Sequence, residues 1–386
     1  MRRLSLHWQA LPVSPSELCI DTILRCGQSF RWKKANDEWR CSLHGRIVSL
    51  KQDANHLYFK TTVATKRQDS PVALAAQPAK AVSSLDDTEE LLHSYFNLQL
   101  NLGSLYDQWS QNDVNFRKKA PKFHGIRILN QDAWETLICF ICSSNNNIPR
   151  ISQMAHKLCL HYGPFLGSID GEDYHDFPSP EALARPGVES HLRQLGFGYR
   201  AKYIAQTAQT IAAEKPPGWL AQLRNAECSQ WPGTEQTATQ QSTYKAAHEQ
   251  LLSLSGVGPK VADCVCLMGL GWGEAVPVDT HVWQIAVRDY KFKGSASKTF
   301  SKAMYEAVGD YFRSIWGTQA GWAQSVLFTA NLKAFSDRLE AKVNNEPAVS
   351  VASTSRTKKR VIMEVVQEAA QTNAVPKKRR RNRGST

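Results

Sequence analysis

The sequence predicts an α+β protein: a small N-terminal antiparallel sheet domain, then a mostly α-helical domain, then a basic tail expected to be disordered. Three observations lead there. Trp39 to Ser49 and Leu57 to Thr62 alternate polar and apolar residues around turn-forming Gly45 and Asp53-Ala-Asn55, the period of antiparallel strands with one buried face. From Asp132 onward apolar positions recur at helical spacing, and two such stretches, Tyr244 to Leu252 and Val261 to Leu270, are joined by Gly256-Val257-Gly258, which reads as a tight hairpin between helices. Beyond Asn344 the composition turns polar and basic, too poor in apolar residues to offset the entropy of ordering. The expected division is 1–115 for the sheet domain with its flanking helices, 116–340 for the helical domain, and 341–386 for the tail.

Composition narrows the class. With 42% hydrophobic and 21% charged residues over 386 positions, the chain can bury one large core or two to three domains. No uninterrupted apolar run approaches the ~18 residues that span a bilayer, so no membrane partner is expected. Nine scattered cysteines and the lack of a secretory leader favour reduced thiols in an intracellular compartment. The net charge is +12, but the chain from Pro347 holds ten Lys or Arg against two Glu, leaving only +4 for the rest. High overall charge is therefore weak evidence that the folded part binds nucleic acid.

The elements follow in order. The first seven residues are basic and lack acids, as a mitochondrial leader does, but a short irregular terminus is the preferred reading. Leu18 to Leu24 reads as a short helix, and the two strand runs follow. Residues 64–84, rich in Ala, Pro, Lys, Ser and Gln, read as a flexible excursion. Leu85 to Leu98, capped by Ser84, and Leu102 to Ser110 read as helices. Ala133 to Cys142 is apolar nearly all round and should be a buried central helix. Ile148 to Tyr162, Ser179 to Ala184, Glu189 to Leu195 and Tyr199 to Glu214 continue the bundle. Residues 215–242, with two prolines, a Trp-Pro-Gly turn and a Thr/Gln run, read as a surface insertion. After the hairpin come helices near Ser297 to Phe312 and over Ala320 to Ser336, the latter carrying Gln324 and Phe328 at i and i+4 on one face.

The hairpin draws the chemistry together. A turn of this kind directs backbone N–H groups outward, and unpaired amides at the start of its second helix favour an anion, naturally a phosphate. Lys260 follows at once. Asp279, just before Thr280 to Arg288, has the setting of a helix N-cap. An amine, a carboxylate and a phosphate-binding turn coincide; the bland alternative is that Lys260 only binds phosphate and Asp279 only caps its helix.

This stretch, with Pro277 and Asp279, resembles the helix-hairpin-helix, Gly/Pro-Asp (HhH-GPD) superfamily of DNA glycosylases. The resemblance tightens at Gly27-Gln-Ser-Phe-Arg-Trp32, Ile141-Cys-Ser-Ser-Asn-Asn-Asn147, Gly196-Phe-Gly-Tyr-Arg200 and Gly321-Trp-Ala-Gln-Ser-Val-Leu-Phe328. Together these are similar to the eukaryotic 8-oxoguanine DNA glycosylase/lyase over roughly residues 8 to 335. The resemblance implies a base-excision repair enzyme acting on duplex DNA with oxidised guanine opposite cytosine. It would excise the base by flipping it out and then nick the abasic site. Lys260 would be the nucleophile and Asp279 the stabiliser of positive charge on the sugar. A lysine in this role needs a lowered pKa.

By the same resemblance Cys264 and Phe328 sandwich the flipped purine and Gln324 reads its Watson–Crick edge. The carbonyl of Gly27 accepts the extra N7 hydrogen of the lesion. Asn145, Arg150 and Arg200 hold the orphan cytosine, Tyr199 intrudes into the stack, and His281 and the hairpin residues Gly256, Val257 and Gly258 contact the backbone. Each of Cys264, Gln324 and Phe328, taken alone, would read as core packing, and His281 could equally be structural. Two departures stand out, Pro259 before the lysine and Cys26 before Gly27; a proline at the first helical position is well tolerated.

No metal and no cofactor are expected. The last cysteine is Cys266, so an iron–sulfur cluster after the Gly/Pro-Asp segment cannot form, and Cys139-x-x-Cys142 lacks a second pair. A monomer is expected, with downstream repair proteins as further candidate partners. Pro376-Lys-Lys-Arg-Arg-Arg381 resembles a nuclear-import signal, so the nucleus is the expected location, with mitochondria second. Two other readings compete: a monofunctional glycosylase for alkylated bases, which needs the aspartate but not the lysine, and a catalytically silent DNA-binding module.

Overall fold

The computed structural model describes residues 7–63, 87–228, 242–293 and 301–340. Its first unit is a five-stranded antiparallel sheet of β1 (Gln9–Pro12), β2 (Lys33–Ala35), β3 (Glu38–Leu43), β4 (Arg46–Gln52) and β5 (His56–Val63) in the order β1-β5-β4-β3-β2, with α1 (Ile20–Ile23) between β1 and β2. The strands form as expected, and in the β3–β4 hairpin Trp39 faces Leu50 and Cys41 faces Val48, all buried; the polar face is covered too, however, with Arg40, Ser42, Arg46 and Ser49 buried.

The helices that follow are α2 (Thr88–Tyr95), α3 (Leu102–Asn112), α4 (Val114–Lys119), α5 (Ala133–Ile141) and α6 (Ile148–Tyr162). Next come a strand pair, β6 (Phe165–Ile169) and β7 (Glu172–His175), then α7 (Pro180–Leu183), α8 (Val188–Gln194), α9 (Arg200–Gln209) and α10 (Trp219–Gln222). The chain ends in α11 (Tyr244–Leu252), α12 (Pro259–Met268), α13 (Thr280–Asp289), α14 (Lys302–Trp316), α15 (Ala320–Ala330) and α16 (Asp337–Glu340). As its pattern predicted, α5 is buried along its whole length. One apolar core joins sheet and helices, and a small second one (Ile47, Leu166, Tyr174) lies between β4 and the β6–β7 hairpin.

Several expectations need correcting. The β6–β7 pair interrupts a region read as wholly helical; its strands are short and their signal is little more than the Asp170-Gly171 turn. The α2 helix starts at Asp87 without a side-chain cap bond, and the predicted cap Ser84 lies outside the described residues. The helix read as Tyr199 to Glu214 is α9 followed by a wider π turn at Thr210–Glu214. The last helix stops at Ala330, not Ser336, and a 3₁₀ turn, Lys333–Phe335, follows.

Residues 215–228 do not lie loose on the surface. Trp219 and Leu223 are buried, Arg224 donates to the Gly269 carbonyl at 2.6 Å and to Asn130 Oδ1 at 2.7 Å, and Trp272 Nε1 donates to the Leu223 carbonyl. Here burial of two large apolar residues overrides the loop-like prolines. The remainder of that stretch, the 64–84 excursion and the basic tail lie outside the described residues.

Two devices bring distant segments to one place. Gln28 works as a strand substitute: its amide nitrogen donates to the Arg127 carbonyl at 2.8 Å, its amide oxygen accepts from Leu129 N at 2.9 Å, and its carbonyl accepts from Gln131 Nε2. The Gly27 loop is thereby fixed to the helical unit. At the other wall, Gly321 N donates to the Gly273 carbonyl at 2.9 Å, and a Cβ on Gly321 would come 2.2 Å from the Ala275 oxygen. Only glycine lets α15 approach the segment leading into Pro277 so closely.

Candidate active site

The hairpin is seated on α9. Gly256 takes φ +77°, and a Cβ there would meet the Tyr203 ring at 2.6 Å, so the turn lies flat on that ring. Thr207 Oγ1 donates to the Ser255 carbonyl at 2.9 Å and Ser255 Oγ pairs with Gln206 at 2.8 Å. Val257 is buried beneath the turn. Gly258, the N-cap of α12, has extended φ −98° and open space where a Cβ would be, and no side chain caps the helix. The bare helix start faces that open side, with Pro259 at its first position as expected.

One turn into α12 the chain lines a small cavity that opens to solvent. Lys260, Cys264 and Asp279 stand on its walls with Gly27, Gln324 and Phe328, so residues from four separate segments meet there. Lys260 Nζ donates to Ser143 Oγ at 3.1 Å and stands 4.8 Å from the Phe140 ring centre. Among the described residues no ion pair takes up this ammonium. The Asp279 carboxylate divides its work. Oδ1 caps α13, accepting from His281 N and Val282 N at 2.9 Å each, while Oδ2 accepts no hydrogen bond among the described residues. Capping and facing the cavity, posed by the sequence as alternatives, are thus compatible in one side chain.

The walls of the cavity differ in character. Burial pushes the Cys264 thiol up to about 12, opposed by the Lys260 ammonium beside it, so it is a neutral, apolar surface. Gln324 is only 5% exposed, yet no hydrogen bond reaches its amide from the described residues. The side chain lines the cavity, and its amide atoms are not among the fully enclosed polar atoms left without a partner. Phe328, one turn further along α15, is half-buried and meets the exposed His281 ring edge to face at 5.8 Å. His281 Nδ1 is 3.2 Å from Asn331 Nδ2.

Beside the cavity the three asparagines divide. Asn145 is exposed in the left-handed region at φ +48°, Asn146 closes the loop on the Cys142 carbonyl at 2.9 Å, and Asn147 caps α6 through Arg150 N at 3.0 Å. The Arg150 side chain is exposed. Tyr199 is 47% exposed at the start of α9, its hydroxyl donating to the Ser144 carbonyl at 3.0 Å. Arg200, which the resemblance sets against the orphan cytosine, is only 3% exposed. Its Nη2 donates to the carbonyls of Ser144 and Asn145, tying the asparagine loop to α9, and its Nε has no partner. The side chain turns inward because two loop carbonyls lie within reach of it.

A family model described as 8-oxoguanine DNA glycosylase, N-terminal domain, matches residues 10–137, and one described as HhH-GPD superfamily base excision DNA repair protein matches residues 138–308. The N-glycosylase/DNA lyase of Saccharomyces cerevisiae is 39% identical over 350 residues, covering 85% of this chain and 87% of that protein. The chain belongs to the 8-oxoguanine DNA glycosylase/DNA lyase family of the HhH-GPD superfamily. The N-glycosylase/DNA lyase OGG1 of Arabidopsis thaliana is 36% identical over 338 residues, 86% of this chain and 83% of that protein. Among solved structures, the Clostridium acetobutylicum 8-oxoguanine glycosylase/lyase in its apo-form has a TM-score of 0.62 at 25% identity, covering 81% of this chain and 93% of that one.

Sequence reasoning missed part of this glycosylase's cavity. Phe140, Met268 and Thr329 line it, and Ser143 holds the lysine. Phe140 and Met268 read as ordinary core because nothing in an apolar run says which position faces a void. Ser143 and Gln28 lay inside recognised motifs but carried no signal of their own.

Proposed function

We propose that this chain excises 8-oxoguanine opposite cytosine from duplex DNA and then cuts the strand at the abasic site, with Lys260 and Asp279 as the reacting pair. It is a DNA N-glycosylase with DNA lyase activity. One observation carries the residue assignment: Lys260, Asp279 and Gln324 line one cavity, and among the described residues one Asp279 carboxylate oxygen and the Gln324 amide take no hydrogen bond.

In this reading the hairpin amides bind a backbone phosphate, and the damaged nucleotide turns out of the stack into the cavity. The purine lies between Cys264 and Phe328, Gln324 pairs with its edge, and the Gly27 carbonyl accepts the N7 hydrogen. The Lys260 amine, once its ammonium has given up a proton to solvent, attacks the anomeric carbon; the glycosidic bond breaks with its electron pair leaving on the base, and the base takes up the proton that the attacking nitrogen sheds. Asp279 offsets the positive charge that builds on the sugar. The sugar ring opens to a Schiff base with Nζ. Loss of the C2′ proton expels the 3′ phosphate, and water releases the lysine. Tyr199 fills the vacated stack. Asn145, Arg150 and Arg200 meet the orphan cytosine, Arg200 with the nitrogens it does not use on the loop. His281, Gly256, Val257 and Gly258 line the phosphate track.

Borohydride trapping on an oligonucleotide with one 8-oxoguanine tests this. A covalent complex is expected for the natural chain and none for Lys260→Gln. Tight binding with neither base release nor trapping would instead make the chain a silent DNA-binding module. We place the enzyme in the nucleus on the strength of Pro376 to Arg381. Deleting 347–386 should abolish nuclear accumulation and flatten the salt dependence of DNA binding while leaving turnover intact.

A further inference from the structure

Asp263 sits one turn after Lys260 on the same helix, directly before Cys264, and is 1% exposed. It does not line the cavity. A carboxylate buried this deeply is unfavourable unless its oxygens are hydrogen-bonded, and here they are. Tyr244 on α11 donates to Oδ1 at 2.6 Å, Tyr305 on α14 donates to Oδ2 at 2.5 Å, and His248 Nε2 lies 3.5 Å from Oδ1.

The two tyrosines are not equivalent. The Tyr305 hydroxyl, its proton given to Asp263, also accepts from the backbone N–H of Val278 at 3.3 Å. Val278 immediately precedes Asp279. A short path therefore runs from the Lys260 helix through Asp263 and Tyr305 to the segment that presents Asp279. It is directional, because the single hydroxyl proton is committed to the carboxylate and leaves a lone pair for Val278. Tyr244 holds the same carboxylate but has no contact of this kind with the Asp279 segment, so it supplies an internal control.

We propose that Asp263 and Tyr305 are positioning residues that set the distance between the Lys260 amine and the Asp279 carboxylate. Neither touches the substrate; both act through the backbone that carries the reacting pair. The inference rests on the assignment of Lys260 and Asp279 to the chemistry.

The test compares the full chain with Tyr305→Phe and Tyr244→Phe on a duplex with 8-oxoguanine opposite cytosine. Single-turnover base release, affinity for a duplex bearing an uncleavable tetrahydrofuran site, and the thermal midpoint are measured for each. Tyr305→Phe should slow base release by the order of 10- to 100-fold with affinity unchanged within about twofold, since a small misplacement of reacting groups is costly in rate but not in binding. Tyr244→Phe, which removes a bond to the same buried carboxylate, should lower the thermal midpoint comparably yet release base within about threefold of the natural rate. Equal slowing in both variants, or none in Tyr305→Phe, overturns the inference while the functional reading stands. If Tyr305→Phe does not fold, Tyr305→Met takes its place with the same expectations, because it too removes the hydroxyl that bonds Asp263 and accepts from Val278 N. A natural chain that binds the duplex but releases no base defeats the functional reading, and this inference with it.

Discussion

The Lys260 ammonium donates to an uncharged partner, 3.1 Å to Ser143 Oγ, whose own proton goes to the Phe140 carbonyl at 2.7 Å, and it stands 4.8 Å from the Phe140 ring centre. A hydrogen bond with one charged member contributes roughly 1.5–3 kcal/mol net, enough to park a flexible side chain while no carboxylate competes with substrate for it. Ser143→Ala should therefore keep borohydride trapping within about tenfold of the natural chain. A loss as complete as that of Lys260→Gln would place Ser143 in the chemistry itself.

The two oxygens of Asp279 can be separated by substitution. Asn retains a capping oxygen and loses the charge, so Asp279→Asn should leave the thermal midpoint nearly unchanged while base release falls by roughly 10²- to 10³-fold. Asp279→Ala should add a capping loss of about 1 kcal/mol. If Asn and Ala destabilise alike, Oδ1 is not the cap that matters.

Gln324 has no hydrogen-bond partner to lose among the described residues. Gln324→Ala should leave stability almost untouched, weaken preference for 8-oxoguanine over guanine, and leave affinity for undamaged duplex as it was. Equal losses on damaged and undamaged duplex would remove the base-reading role.

Arg200 is buried under the loop it holds. Arg200→Ala should destabilise by about 1–3 kcal/mol, as expected for a charged donor to two loop carbonyls, and should also erode discrimination for cytosine opposite the lesion. Thermal melts alongside excision from the four possible pairings decide this; a melt shift with pairing preference intact makes Arg200 purely structural.

Stability should fall in alkali. Burial raises the thiols of Cys26 to about 11 and of Cys142, Cys159 and Cys264 to about 12, from an ordinary 9.0. Between those values the unfolded chain has lost protons that the fold retains, so the stabilisation is complete below pH 9.0 and declines as pH rises toward the folded values. Each thiol contributes roughly 1.4 kcal/mol per pH unit over that window. A thermal midpoint flat from pH 9 to about 11 would contradict the burial of these groups.

Much of the site was legible in the sequence because its parts are local. A glycine turn between two helical periods, a proline at a first helical position, an aspartate before a helix, and Gln324 and Phe328 one turn apart are each decided by neighbours within a few residues. Spacing of that kind is written in the backbone's own periods of 2 and 3.6, and the family resemblance rests on such stretches.

Tertiary structure decided the rest. Lys260 meets Ser143 across 117 positions and Tyr305 meets Asp263 across 42. The inward turn of Arg200, the packing of Trp219, and the choice of Phe140 and Met268 to face a void are likewise settled by which surfaces close on one another. Hydrogen bonds and periodicity act over one turn of chain and can be read from it; a cavity is what remains when separate elements pack, and no single stretch contains it.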